Sequence, residues 1–361
     1  MPKRKHSLRE ATPTASSASI HHALRSTDII RSILAYQCGV YADILPLVAA
    51  LKPCRNLKFE FRTDDPDSDY ERLDAILEPW YASPDTSLML PKLLGDVVFM
   101  RPLVIRHAVW TGNVNLVERV HAAFNLHTFP ENLLDIAAGF GRFELLKWLH
   151  ALGHAGCTTE AMDMASILGH LSCVKFLHVH RTEGCTTEAM EQAAAYAHLD
   201  VLEFLHRHRA EGCGTKAMDY AAVYGHLHIV QWLHAHRTEG CSTEAMDWAA
   251  GHGDFDIVRF LHDNRHEGCT TKAIDWAAQY GHLDVIRFLQ EHRTEGCTTD
   301  AVDGAAANGH VEVVEFLLSH FDQGCSSMAF ILARSHGHSA VLECLSRFLD
   351  CNEETGVVEW R

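Results

Sequence analysis

The sequence predicts an all-α solenoid of stacked antiparallel helix pairs, about eight to nine units long, behind a small helical N-terminal region. Three observations predict it. Seven cysteines (Cys157, Cys185, Cys213, Cys241, Cys269, Cys297 and Cys325) follow one another at a spacing of 28 residues without slippage. The residues around them repeat at the same period, the signature of a stacked array. Within each period, two runs of apolar residues at helical spacing are separated by a glycine.

From the N-terminus, residues 1–27 are rich in Ser, Thr, Ala and basic residues, lack apolar periodicity, and are expected to form a disordered tail. No apolar stretch follows the basic start, so a secretory signal is not expected. Lys3, Arg4 and Lys5 read as a solvated tail before a nuclear address. The expected location is the cytoplasm, with the nucleus as the alternative. Residues 28–100 are expected to be a small helical region, with helices over 28–34, 41–51 (interrupted by Pro46) and 70–80, and an acidic loop over 64–69. It reads either as a cap over the first repeat, which solenoids need, or as a degenerate F-box-like segment. The cap is preferred, because no clear Leu-Pro-led pattern is visible: Leu45-Pro46 falls inside the second helix.

Residues 101–352 are expected to be the repeat domain. With the cysteine as position 1, Thr at position 3 (Thr159, Thr187, Thr215, Thr243, Thr271, Thr299) is the expected N-cap of a first helix, often followed by an acid. Position 6, the alanines at 9 and 10, and position 13 form its inward stripe. Position 13 is Gly in every clear unit except at Ala197, and ends the helix. The second helix carries apolar residues at 15, 17, 18, 20 and 21, such as Leu227, Ile229, Val230, Trp232 and Leu233. Histidines at 22 and 24 and Arg at 25 suit its negative end. Residues 129–156 keep Ala137, Ala138, Gly141, Trp148, Leu149 and His150 in register without the cysteine, and 101–128 is a weaker copy with Gly112 slipped by one. The unit at Cys325 is decayed, and 353–361 is expected to be a frayed tail.

The string Ala221-Ala222-Val223-Tyr224-Gly225-His226-Leu227-His228-Ile229-Val230-Gln231-Trp232-Leu233 resembles the centre of the ankyrin repeat. Ankyrin repeats run about 33 residues and end in a β-hairpin finger. At 28 residues, without the usual Pro and His, this unit is expected to have short or absent fingers. The resemblance implies a non-catalytic protein-interaction module or scaffold. The F-box-like reading of 28–100 makes the alternative a substrate-recruiting adaptor of a ubiquitin ligase.

The resemblance also places the first helices on the concave side, with positions 4, 7, 8, 11 and 12 outward. The expected partner-binding residues are Glu160, Glu188, Tyr196, Asp219, Tyr220, Tyr224, Glu244, Asp247, Trp248, Asp275, Trp276 and Tyr280. An acidic and aromatic face suits a basic protein partner. The rival for the acids at position 7 (Asp135, Asp163, Glu191, Asp219, Asp247, Asp275, Asp303) is that they bond amides or hydroxyls of the adjacent unit. The position-8 aromatics could likewise pack between repeats.

Other classes find little support. The net charge of −16 argues against a nucleic-acid partner, and no run of about 18 apolar residues suggests a membrane span. The 27 histidines fall largely into columns at 14, 22 and 24. A His-x-His pair points to two sides of a helix, so inter-unit hydrogen bonds are preferred to zinc. Members of the cysteine column stand one repeat apart, about 10 Å in such stacks and too far for a disulfide, and each is expected to fill a small apolar slot. No phosphate loop and no isolated nucleophile is present. No enzyme, metal or cofactor is expected, and the chain is expected to be a monomer.

Overall fold

The computed structural model of this protein describes residues 36–37, 40–41, 44–56, 68–351 and 358–360. By its internal contacts the chain divides into two units, 1–133 with 147–155, and 134–146 with 156–361.

In the first unit, two short strands, β1 (Tyr36–Gln37) and β2 (Val40–Tyr41), pair antiparallel. Five helices follow: α1 (Leu45–Leu51), α2 (Ser68–Tyr81), α3 (Thr86–Asp96), α4 (Met100–Thr111) and α5 (Val114–Ala123). Their core is Leu73, Leu77, Leu90, Leu93, Leu94, Leu103, Val104 and Ile105. The helix expected over 41–51 is shorter at its start, with Tyr41 in a strand. Pro46 does not interrupt it but sits in its first turn, where its missing N–H has no bond to lose. The helix expected over 70–80 begins at Ser68, so Asp69 lies in its first turn rather than in a loop. The helix expected over 28–34 and the acidic residues 64–67 lie outside the described residues. The weak copy at 101–128 does hold a helix pair, α4 and α5, joined by Gly112 in the left-handed region and capped by the Asn113 side chain.

Eight more helix pairs run through the repeats: α6 (Leu133–Gly139) with α7 (Phe143–Leu152), α8 (Glu160–Ile167) with α9 (Leu171–His180), α10 (Glu188–Ala195) with α11 (Leu199–His208), α12 (Lys216–Val223) with α13 (Leu227–His236), α14 (Thr243–His252) with α15 (Phe255–Asn264), α16 (Lys272–Tyr280) with α17 (Leu283–His292), α18 (Thr299–Asn308) with α19 (Val311–His320), and α20 (Ser327–Ser335) with α21 (Ser339–Phe348). A two-stranded ladder, β3 (Leu349–Cys351) with β4 (Val358–Trp360), follows. This is an ankyrin-like stack: from α8 to α20, each first helix packs on the first helix of the next unit and on its own second helix. The connection from Arg181 to Thr187 contains no strand, as the short period requires. No helix among the described residues is long and apolar enough to cross a membrane.

Burial on the first helix is broader than the sequence pattern suggested. Position 5, always alanine from Ala161 to Ala329, is buried with positions 6, 9 and 10. A side chain of one carbon at three of these places lets neighbouring helices approach closely, and the residue at position 6, such as Met246, fills the remaining space. On the second helix, positions 17, 18 and 21 form the buried stripe, as in Ile257, Val258 and Leu261.

The turn between the two helices explains both the glycine and the histidine that follow it. Position 13 has positive φ in each unit, for example +66° at Gly141 and +86° at Gly281. A Cβ would also meet the position-14 histidine of the next unit: His170 at 2.7 Å from Gly141, His310 at 2.8 Å from Gly281. That imidazole reaches back to the preceding unit, where His338 Nε2 lies 3.1 Å from the Ala307 carbonyl. Ala197 holds the same conformation at φ +60°, which costs an L-residue about 1 kcal/mol.

Candidate protein-binding face of the first helices

The acids at position 7 are buried, with Asp303 half-buried, although the sequence pattern placed them outward. Asp219, Asp247 and Asp275 are 5%, 2% and 8% exposed. Each carboxylate accepts two bonds from position 2 of the following unit. Thr270 donates its N–H and its hydroxyl to Asp247, both at 2.7 Å. Ser242 does so to Asp219 at 2.7 and 3.0 Å, and Thr298 to Asp275 at 2.8 and 2.9 Å. The position-2 hydroxyl in turn accepts from the N–H of position 4, as in Thr270 from Lys272 at 3.2 Å. The helix cap is therefore position 2, not the expected position 3: Thr159, Thr187, Thr215 and Thr271 make no side-chain cap bond. Burial raises the pKa of Asp219, Asp247 and Asp275, and the two donated bonds oppose it.

One junction departs from this pattern in a correlated way. Gly214 has no hydroxyl, and the acid facing it is the longer Glu191, which takes the Gly214 N–H at 2.9 Å. A Cβ at 214 would stand 3.0 Å from Glu191 Oε1. The sequence left open whether these acids meet a partner or hold the stack. The geometry gives them the second task, so Asp219, Asp247 and Asp275 leave the candidate face.

The connecting loops are tied by a second ladder. Arg209 and Glu211 form an ion pair, repeated at Arg181–Glu183, Arg237–Glu239, Arg265–Glu267 and Arg293–Glu295. The hydrogen bond from Arg209 holds the Glu211 carboxyl down at about 2. Glu267 also accepts the Cys241 N–H at 3.2 Å, fixing the start of the unit. The cysteines at position 1 are buried beside these pairs, and burial pushes Cys185, Cys241 and Cys269 up to about 12, so they remain thiols. Among the described residues no group of three or more His, Cys, Asp or Glu is placed to hold a metal. The histidines at 24 stack on their own helix: His236 lies 4.6 Å from the Trp232 ring, with Nδ1 2.8 Å from the Trp232 carbonyl oxygen.

What remains outward is position 4 and the aromatics at 8 and 12. Glu160, Glu188 and Glu244 are exposed. Tyr224 is 55% exposed, Trp248 39% and Tyr280 59%, and Tyr196, Tyr220 and Trp276 are half-buried. Helical spacing sets 8 and 12 one turn apart, and stacking sets like positions side by side. Tyr196 and Tyr224 stack at 6.1 Å and 21°. Trp248 and Trp276 meet at 4.5 Å and 44°. Trp248, Trp276 and Tyr280, with Gly251, His252 and Gln279, line a pocket of about 170 Å³.

Gly251 and His252 were not singled out from the sequence. His252 stacks on Trp248 at 5.7 Å. Gly251 is helical, and a Cβ there would come 3.0 Å from Trp276 Cβ, so this glycine is what lets the indole lie across the helix. A glycine inside a helix at position 11, shared only with Gly139 among the units from 129 onward and held by larger residues in the others, was the signal available.

Comparison with known proteins finds ankyrin repeats within the repeat domain. The description "Ankyrin repeats (3 copies)" matches residues 218–303, and "Ankyrin repeats (many copies)" matches residues 190–234. Among solved structures, the chain is similar to the ankyrin repeat domain of human ASB11, with 20% identity and a TM-score of 0.31, over 58% of this chain and 96% of that one. No curated protein matches.

Proposed function

We propose, on the premise that this chain is an ankyrin repeat protein, that it binds a protein partner through the outward face of its first helices. Ankyrin repeats are protein–protein interaction modules. The finer reading rests on one observation: among outward positions of the stack, large aromatics gather at three consecutive first helices, with Tyr224 at the end of α12, Trp248 on α14 and Tyr280 on α16 all exposed. Scattered exposed apolar residues need no explanation, but a contiguous aromatic group marks an interface. The core of the stack uses positions 5, 6, 7, 9 and 10; Tyr196 packs on Tyr224 and Trp248 on Trp276 between units, yet Tyr224, Trp248 and Tyr280 keep exposed surface. The exposed acids at position 4, Glu160, Glu188, Glu244 and Asp300, outnumber Lys216 and Lys272, which favours a basic partner.

The test is affinity capture with the full-length chain and its Tyr224→Ala/Trp248→Ala/Tyr280→Ala variant, each checked for unchanged helical content. Capture of the same proteins in equal amounts by both would refute the face. Loss of one or a few partners from the variant supports it.

A further inference from the structure

We propose that the pocket between Trp248, Trp276 and Tyr280 is the specificity site of this face, and that it takes an arginine side chain of the protein partner. This rests on the reading that the first-helix face binds protein. The pocket is built rather than incidental. Gly251 gives up helix propensity so that Trp276 can lie across α14, and His252 fixes the Trp248 ring by stacking at 5.7 Å while its Nδ1 lies 3.0 Å from the Trp248 carbonyl oxygen. Two indoles at 44° therefore form a wedge, with the Tyr280 phenol beyond it.

The chemistry of the wedge selects its occupant. Indole and phenol faces carry negative potential and attract cations. The chain's own Lys272 shows this locally, with its ammonium 5.5 Å from the Trp276 ring centre. Glu244 stands one turn before Trp248 on the same helix and is exposed, so a carboxylate accompanies the rings. No lysine or arginine lines the pocket itself, and the one imidazole there, His252, is stacked on Trp248. A flat guanidinium stacks on an indole and still presents N–H groups at its edge to a carboxylate, which a compact ammonium cannot do. A volume of about 170 Å³ accommodates one side chain, not a helix.

The test uses the full-length chain with three fluorescein-labelled Gly/Ser peptides that carry four spaced arginines, four lysines or four citrullines, read by fluorescence anisotropy. The expected order is arginine over lysine by at least about threefold, with citrulline weakest. Trp248→Ala should weaken the arginine peptide about five- to tenfold, down to the level of the lysine peptide. Trp248→Phe, which keeps a ring, should recover part of the loss. Equal binding of arginine and lysine, or no change in Trp248→Ala, overturns the pocket. The wider face then still stands if Glu188→Gln/Glu244→Gln weakens both basic peptides. Citrulline binding as tightly as arginine overturns the cationic occupant. Failure of all three peptides to bind also overturns the pocket, and the capture experiment above then decides the face separately.

Discussion

Residues 44–133 and the repeats hold their buried polar groups in opposite ways. In the first section each arrangement occurs once. His107, fully buried, has Nε2 3.2 Å from Asp74 and Nδ1 3.4 Å from the Tyr81 hydroxyl, and its ring lies 5.3 Å from Trp110. The Thr86 hydroxyl shares its one proton between the carbonyls of Trp80 and Ser83, and Arg106 pairs with Glu131. In the repeats one solution is copied: an acid at position 7 takes two bonds from position 2 of the next unit, from Asp135–Thr158 to Asp303–Ser326. A section built from unique contacts depends on single hubs. A section built from copies distributes its stability over equivalent junctions, approximately a sum of neighbour terms. The copies also free the exposed positions to vary, because what holds the stack lies elsewhere.

The hub should be the most sensitive site. His107→Ala leaves a cavity and the Asp74 carboxylate without its imidazole, and should cost about 3–4 kcal/mol by chemical denaturation. A loss under about 1 kcal/mol would erase the distinction between the sections. Within the ladder, Asp247→Ala strands both Thr270 groups and should cost about 2–3 kcal/mol, whereas Asp247→Asn keeps an acceptor and should cost about 1 kcal/mol. Equal effects of the two would mean that the carboxylate is not acting as the double acceptor described above. The smallest of these effects has the opposite sign: Ala197→Gly relieves a left-handed alanine and should add about 1 kcal/mol to stability, seen as a raised urea midpoint.

Acid should act on the junctions collectively. Burial lowers the pKa of His170, His178, His206 and His226, in each case the largest cause. Nδ1 of His178 and of His234 is buried without a hydrogen-bond partner, and His178 faces Phe204 and His208 of the next unit. A depressed histidine favours folding while neutral, so its contribution is complete above the ordinary value of about 6.5 and is lost as pH falls toward the folded value. The urea midpoint should drop between about pH 7 and about pH 5. His178→Gln/His206→Gln should flatten that drop, and an unchanged slope would remove these histidines from the account.

The architecture was legible because a period of 28 residues repeats every constraint many times over. The orientation of position 7 was not. Burial of a carboxylate depends on what faces it, and the facing group is 23 residues away in the next unit. The signal existed in the pairing of columns: Asp at position 7 is followed by Thr or Ser at position 2, and Glu191 alone by Gly214. Of the aromatics that helical spacing put outward, Tyr224, Trp248 and Tyr280 are exposed and Tyr196, Tyr220 and Trp276 half-buried between units, but the pocket between Trp248 and Trp276 depends on Gly251, which looks like a breaker when read alone. His107 lies in the weak copy at 101–128, but its partners Asp74 and Tyr81 lie ahead of it in sequence that does not repeat, so it gave no sequence signal of its hub position.

The central claim is that the partner sits on the first-helix aromatics. A photo-crosslinking amino acid placed at position 224 or 280, and in a control at Val179, which is 71% exposed on a second helix, tests it directly. The account predicts crosslinked partner from 224 and 280 and none from 179. Crosslinking from 179 with none from 224 and 280 would contradict it.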